Sequence, residues 1–230
     1  LNTNLKFNFL YDDKKLKIFN SFYRSKNLSF NNESLIDFAP YLYVKTNFEI
    51  EKLDLKILEK IDLIKIIKYR ESIKKINSTN IISYKPKKFT KSFIDDLNLH
   101  IDLAYGTLNY KKKFLIAENI FNCEGNFNIL EEYPLLYFNC KILINDKKEL
   151  FKKLSIKTKK KNDNLEIETK GNLNILNKKI NFDVILLNGN NSTMEDLKYY
   201  KDSFESILFE NFFLDIFDLK KIKSFILEVI

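Results

Sequence analysis

From residue 5 onward, apolar and polar side chains trade places with a period of two. Leu5, Phe7, Phe9 and Tyr11 alternate with polar neighbours, and Leu16 and Ile18 follow Asp12-Asp13-Lys14, the pattern of a β-hairpin. The alternation predicts further strands over 21–30 and 41–51, the second entered after Pro40. Between 54 and 76 the period changes. Ile57, Leu58, Ile61 and Ile64 recur among Lys and Glu, the spacing of one inserted amphipathic helix with Asp54 as its N-cap. Period two returns near Asn80, with Leu97, Leu99, Ile101 and Leu103 on one face and Asn98, His100 and Asp102 on the other. Strands are expected over 114–130, 135–145, 164–176 and 180–187, with a short helical piece over 146–154. Ser192 or Thr193 is placed to cap a helix whose first turn carries Glu195 or Asp196. Residues 194–230 then read as two helices, rich in Phe and broken near 210–213. The expected organisation is a β-rich domain over 1–190 and a helical carboxy-terminal segment over 191–230.

One phrase occurs twice. Gly125-Asn126-Phe127-Asn128-Ile129-Leu130 returns as Gly171-Asn172-Leu173-Asn174-Ile175-Leu176. Each copy leads through a turn into a second alternating stretch, so the repeated unit is a long hairpin. In the first hairpin Phe121, Cys123, Gly125, Phe127 and Ile129 share a face, and the returning strand adds Leu136, Phe138, Cys140, Ile142 and Ile144. The second offers Leu165, Ile167, Gly171, Leu173 and Ile175, then Ile180, Phe182, Val184 and Leu186. A sheet with one apolar face must cover it. A second sheet, a packed helix, or acyl chains lying in a curved open half-pipe would each serve, and alternation alone does not choose among them. Cys123 and Cys140 fall directly opposite one another across the first hairpin. They read equally as a structural disulfide, which belongs to an oxidising compartment, and as two small buried hydrophobes.

Composition narrows the chemistry. The net charge is +8, and nearly all of it is Lys, with Arg only at 24 and 70. Base readers lean on Arg, so the expectation is a solvated surface and no nucleic-acid partner. The runs at 85–88, 111–113 and 157–161 are expected at turns, as soluble loop tips. The single histidine, His100, lies on the polar strand face, and the two Cys lack metal-ligand spacing. Asp95-Asp96 and Glu131-Glu132 are neighbours that diverge, and four isolated Gly make no phosphate loop. No catalytic residue, metal or cofactor is expected, and the chain is read as no enzyme. Phe212, Phe213, Phe217 and Phe225 beside Lys220, Lys221 and Lys223 suggest a basic amphipathic helix that plugs the sheet or lies on a membrane. No apolar run of about 18 residues is present. The chain starts at Leu1 with its sole Met at 194, and is expected to be the carboxy-terminal part of a longer protein.

The phrase Gly171–Leu176, its turn, and Ile180-Asn181-Phe182-Asp183-Val184 resemble the strand–turn–strand phrase near the carboxy end of AsmA-like (AsmA/TamB-type) proteins. Leu97 through Tyr105-Gly106, 114–116 and 123–130 resemble the earlier meander of the same family. The scarce Gly and the aromatic helical tail depart from it. The resemblance implies a bridge-like lipid-transfer protein, anchored in the bacterial inner membrane and extending through the periplasm, that supports phospholipid transport and outer-membrane biogenesis. By matching strand positions it implies a groove lined by Phe121, Phe127, Ile129, Leu173, Ile175, Ile180, Phe182 and Val184, which the hairpin pattern extends to Leu136, Phe138, Ile142, Leu165 and Ile167. The partners would be phospholipid acyl chains and the membrane, reached through an amino-terminal anchor or the basic tail. The expected fold is mainly β with helices: a long antiparallel meander forming a curved open sheet, one inserted helix and a carboxy-terminal helical cap. The alternatives are a structural or adhesion module with an ordinary core, and a Lys-driven polyanion binder.

Overall fold

A computed structural model of the chain describes residues 3–60, 63–87, 92–157, 164–209 and 219–229. Twelve strands form one open sheet in which every strand is hydrogen-bonded to the next in chain order. They are β1 (Asn4–Asp12), β2 (Lys15–Arg24), β3 (Leu28–Asp37), β4 (Tyr43–Leu53), β5 (Asn77–Tyr84) and β6 (Asp96–Ala104). Then follow β7 (Thr107–Ile116), β8 (Asn119–Asn128), β9 (Leu135–Ile144), β10 (Leu165–Asn174), β11 (Lys179–Leu187) and β12 (Asn190–Asn191). The expected open meander is therefore present, ending in a helical segment.

All neighbours are antiparallel except β4 and β5, which run parallel. Parallel strands need a crossover, and residues 54–76 supply it. In place of the single expected helix there is a 3₁₀ turn (Leu55–Lys60), α1 (Leu63–Lys68) and a single-turn α2 (Arg70–Ile73). Asp54 does cap: its carboxylate accepts from Lys56 N at 3.1 Å. The segment is rich in Ile, whose stiff side chain gives little support to a long uninterrupted helix.

Two expected strands are each two strands. Residues 21–30 contain a turn, closed by Ser25 N donating to Leu28 O at 2.8 Å. Residues 114–130 contain another at Ala117-Glu118, where φ is 48° and 64°. Asn119 fixes this second turn. Fully buried, it donates to the carbonyls of Ile116 at 2.9 Å and Asp146 at 3.1 Å, and accepts from Asp146 N at 2.9 Å. Asp146 in turn caps α3 (Lys147–Lys153) by accepting from Glu149 N. Thr193 caps α4 (Met194–Leu208) in a full capping box with Asp196. The last helix is α5 (Leu219–Val229). The expected break near 210–213, with Phe212, Phe213 and Phe217, lies outside the described residues.

The core divides in two. Ile67 of α1 and Phe209 pack on Phe127, Ile129, Leu173, Ile175 and Ile180 at one end of the strands. Leu150, Phe151, Leu154 and Ile156, in and just after α3, pack on Ile116 and Ile144 at the other end, with Ile226 of α5 alongside. Neither cluster draws a member from β1 to β5.

Candidate apolar binding face

Cross-strand pairing arranges one face of the sheet as four rows running perpendicular to the strands. The first starts at Leu5 and passes through Tyr23, Phe30, Ile50, Tyr84 and Leu97. It continues through Phe114, Phe121, Ile142 and Ile167 to Leu187. This Phe114 row crosses eleven strands without a charged residue. Aromatic stacking knits it: Tyr23 and Phe30 lie 5.5 Å apart, and Phe114 and Phe121 4.6 Å apart, both stacked.

The row at the other end, through Leu16, Ile36, Val44, Leu103, Leu108, Phe127, Leu136, Leu173 and Ile180, is nearly as apolar, with Ser78 its polar member. The two middle rows are mixed. One contains Ser34, Thr46 and Asn80, then Ile101, Tyr110, Gly125, Phe138, Gly171 and Phe182. Its polar members are hydrogen-bonded within the row and to its neighbours: Thr46 donates to Asn80 at 2.8 Å, Asn80 donates to Ser78 of the end row at 2.9 Å, and Ser34 donates to Asn32 of the other middle row at 3.1 Å. The other contains Asn32, Phe48, Ile82, Leu99, Lys112, Cys123, Cys140, Thr169 and Ile185.

The repeated phrase has a structural cause. Gly125 pairs with Tyr110 and Gly171 pairs with Phe138, so in each copy an aromatic ring lies over the glycine. The phrase then delivers Phe127 and Ile129, or Leu173 and Ile175, into the same core cluster.

The expected groove residues meet different fates. Phe127, Ile129, Leu173, Ile175 and Ile180 are buried, Ile129 to 1% exposure and Ile175 to 0%. They are closed core, because α1 and the end of α4 already cover them. Phe121, Leu136, Phe138, Ile142, Leu165, Ile167 and Phe182 are half-buried beside the two clusters. Val184 is on the opposite face, 38% exposed. A bulge between Lys170 and Gly171 pairs Val184 with outward Lys170, and Ile185 takes the inner position opposite Thr169. Alternation carried through from Ile180 cannot see that slip. Cys123 and Cys140 are directly opposed and joined in a disulfide.

The uncovered part of the face is at β1. Leu5, Phe9 and Tyr11 are 67%, 59% and 62% exposed. Sequence reasoning placed them in a strand without assigning them a role, since an edge position has no signature in alternation.

The polar face is ionic. Lys141 reaches Glu166 and, at 2.8 Å, Glu168, and those bonds hold its ammonium pKa above the usual lysine range. His100 lies 3.2 Å from Asp102, half-exposed. Asp95 accepts from Ala117 N at 2.6 Å and pairs with Lys153 of α3, a structural role. Lys111, Lys112 and Lys113 are not at a turn, as expected, but in the middle of β7. Lys111 and Lys113 point to the polar face, and Lys112 is in phase with Leu108, Tyr110 and Phe114. Among the described residues no group of three acidic, His or Cys side chains is placed to hold a metal, and no helix is long and apolar enough to cross a membrane. Neither a protein-family model, nor a curated protein, nor a solved structure matches this chain.

Proposed function

We propose that the chain binds lipid acyl chains along the apolar face of its sheet, without catalysis, as a segment of a lipid-transfer protein. The observation that carries this reading is the Phe114 row. Ten inter-strand steps of about 4.8 Å give an apolar stripe roughly 48 Å long. It passes from the helix-covered half of the sheet, through buried Tyr84 of β5, to the edge strand β1, where Leu5 is 67% exposed. An acyl chain laid on it exchanges water for apolar contact at about 25 cal/mol per Å² buried, and slides without a covalent step. The resemblance to AsmA-like proteins supports phospholipid as the cargo and the bacterial envelope as the setting. The Cys123–Cys140 disulfide supports an oxidising compartment such as the periplasm. The polyanion reading is weaker, since several outward Lys are paired with acids, as Lys141 is with Glu166 and Glu168. The structural-module reading draws on the two closed core clusters, which leave β1–β5 unexplained.

Mass spectrometry of the purified protein after a high-salt wash tests the proposal. Retained phospholipid or fatty acid is expected in the parent protein, with most of it lost from a Phe30→Glu, Leu97→Glu double variant of unchanged circular dichroism. A folded parent that holds no lipid, and takes none up from phospholipid vesicles, overturns it.

A further inference from the structure

Across the four inner rows of the sheet, all of them among the described residues, Lys112 is the only charged side chain. Leu99 and Cys123 flank it within its row, and Tyr110 and Phe114 flank it along its strand. Its ammonium lies 5.3 Å from the centroid of the Phe114 ring. No carboxylate among the described residues pairs with it. The carboxylate near its neighbour Lys111, Glu124 at 3.9 Å, is on the opposite face. Burial pulls its pKa below the usual lysine range.

A cation held in apolar surroundings is costly unless an anion joins it. In the same row, beyond the disulfide, Thr169 Oγ1 is buried with no hydrogen-bond partner. Two polar side chains without a carboxylate or hydrogen-bond partner among the described residues thus share one transverse row, three strand spacings or about 14 Å apart at the backbone. This row lies between the two core clusters, which take their members from the rows on either side. A polar seam runs between apolar walls.

We propose that Lys112 binds the head group of a long-chain carboxylate whose tail lies along the neighbouring Phe114 row. The inference rests on the lipid-binding reading above and names its substrate class: a single-headed anionic amphiphile. One cation between apolar walls suits a small carboxylate. Thr169 offers its hydroxyl to a second polar atom, or to a water, along the seam.

The test uses the full 230-residue chain and three probes of equal chain length: hexadecanoate, hexadecanol and hexadecyl phosphate, titrated at neutral pH. The parent protein is expected to bind hexadecanoate about tenfold to a hundredfold more tightly than hexadecanol, the usual range for a charge-assisted hydrogen bond. Lys112→Met, of similar length and apolar, is expected to abolish that preference while retaining hexadecanol binding and the parent melting temperature or a higher one. Lys113→Met, on the opposite face, is expected to leave the preference intact. Equal affinity for hexadecanoate and hexadecanol in the parent, or a preference that survives Lys112→Met, overturns the role of Lys112 and leaves the lipid-binding reading standing. Binding of none of the three probes overturns both. Tighter binding of hexadecyl phosphate than of hexadecanoate overturns the carboxylate assignment.

Discussion

At the scale of single residues, the most informative positions are the two glycines of the repeated phrase. Neither Gly125 nor Gly171 has a positive φ, so conformational freedom is not the reason for them. Space is. A Cβ on Gly125 would run into the carbonyl oxygen of Tyr137 and the ring of Tyr110, and one on Gly171 into the carbonyl oxygen of Asn181 and the ring of Phe138. Tyr110 is anchored by its hydroxyl, which donates to Tyr137 O at 3.3 Å, and burial pushes its pKa up to about 12. Backbone cannot retreat from a strand pair as a flexible side chain can. Gly125→Ala and Gly171→Ala are therefore each expected to cost about 1–3 kcal/mol, in the range of overpacked cores. Urea denaturation followed by circular dichroism measures this. A loss under about 0.5 kcal/mol in both variants would mean that the strands separate more easily than the packing suggests.

At the scale of elements, Glu51 ties the amino-terminal strands together. It accepts from Arg24 of β2 at 3.2 Å and Asn31 of β3 at 3.2 Å, and pairs with Lys87 at 3.1 Å. The Lys87 hydrogen bond is the largest influence holding its carboxyl below the ordinary 4.5. A depressed folded pKa adds stability above the unfolded value, and that stability disappears as pH falls through the folded one. Glu51→Gln is thus expected to melt below the parent at pH 7 by less than about 1 kcal/mol, with the gap narrowing as pH falls below 4.5, in matched thermal scans. A constant gap across that range would assign the effect to packing instead.

The elements also mark what the sequence made legible. Long alternation revealed the meander, the hairpins at β8–β9 and β10–β11, and the Thr193 cap, because each follows from period or local capping chemistry. The turns at Ala117-Glu118 and within 21–30 were hidden, since the first takes positive φ without Gly or Asn. The bulge that expels Val184 was hidden because nothing local distinguishes it. Of the apolar face, β8 to β11 were legible as a surface. Which of their residues lie under helices was not, because coverage by α1 and Phe209 is a long-range contact. Lys112 was legible in phase with Leu108, Tyr110 and Phe114 and was masked by the Lys run around it.

At the scale of the whole molecule, the decisive asymmetry lies between the two ends of the sheet. At the β12 end the sheet finishes in a two-residue strand next to α4, which packs on β11. The β1 end is different. β1 is nine residues long, hydrogen-bonded on one side to β2, and carries Leu5, Phe9 and Leu10 largely exposed. A long apolar edge with one unpaired ladder side is a template for another strand. A strand added there would also lengthen the Phe114 row, so the surface that favours association is the one that would extend a lipid path. The 230-residue chain is therefore expected to associate as its concentration rises, edge to edge through β1. Phe9→Lys with Leu10→Lys, one substitution on each face of the edge strand, is expected to give a monomer with unchanged circular dichroism, because neither core cluster contains a β1 residue. Sedimentation velocity over a hundredfold concentration range decides the matter. A parent protein that sediments as one monomeric species throughout means that β1 does not recruit a strand, and the apolar row ends at Leu5.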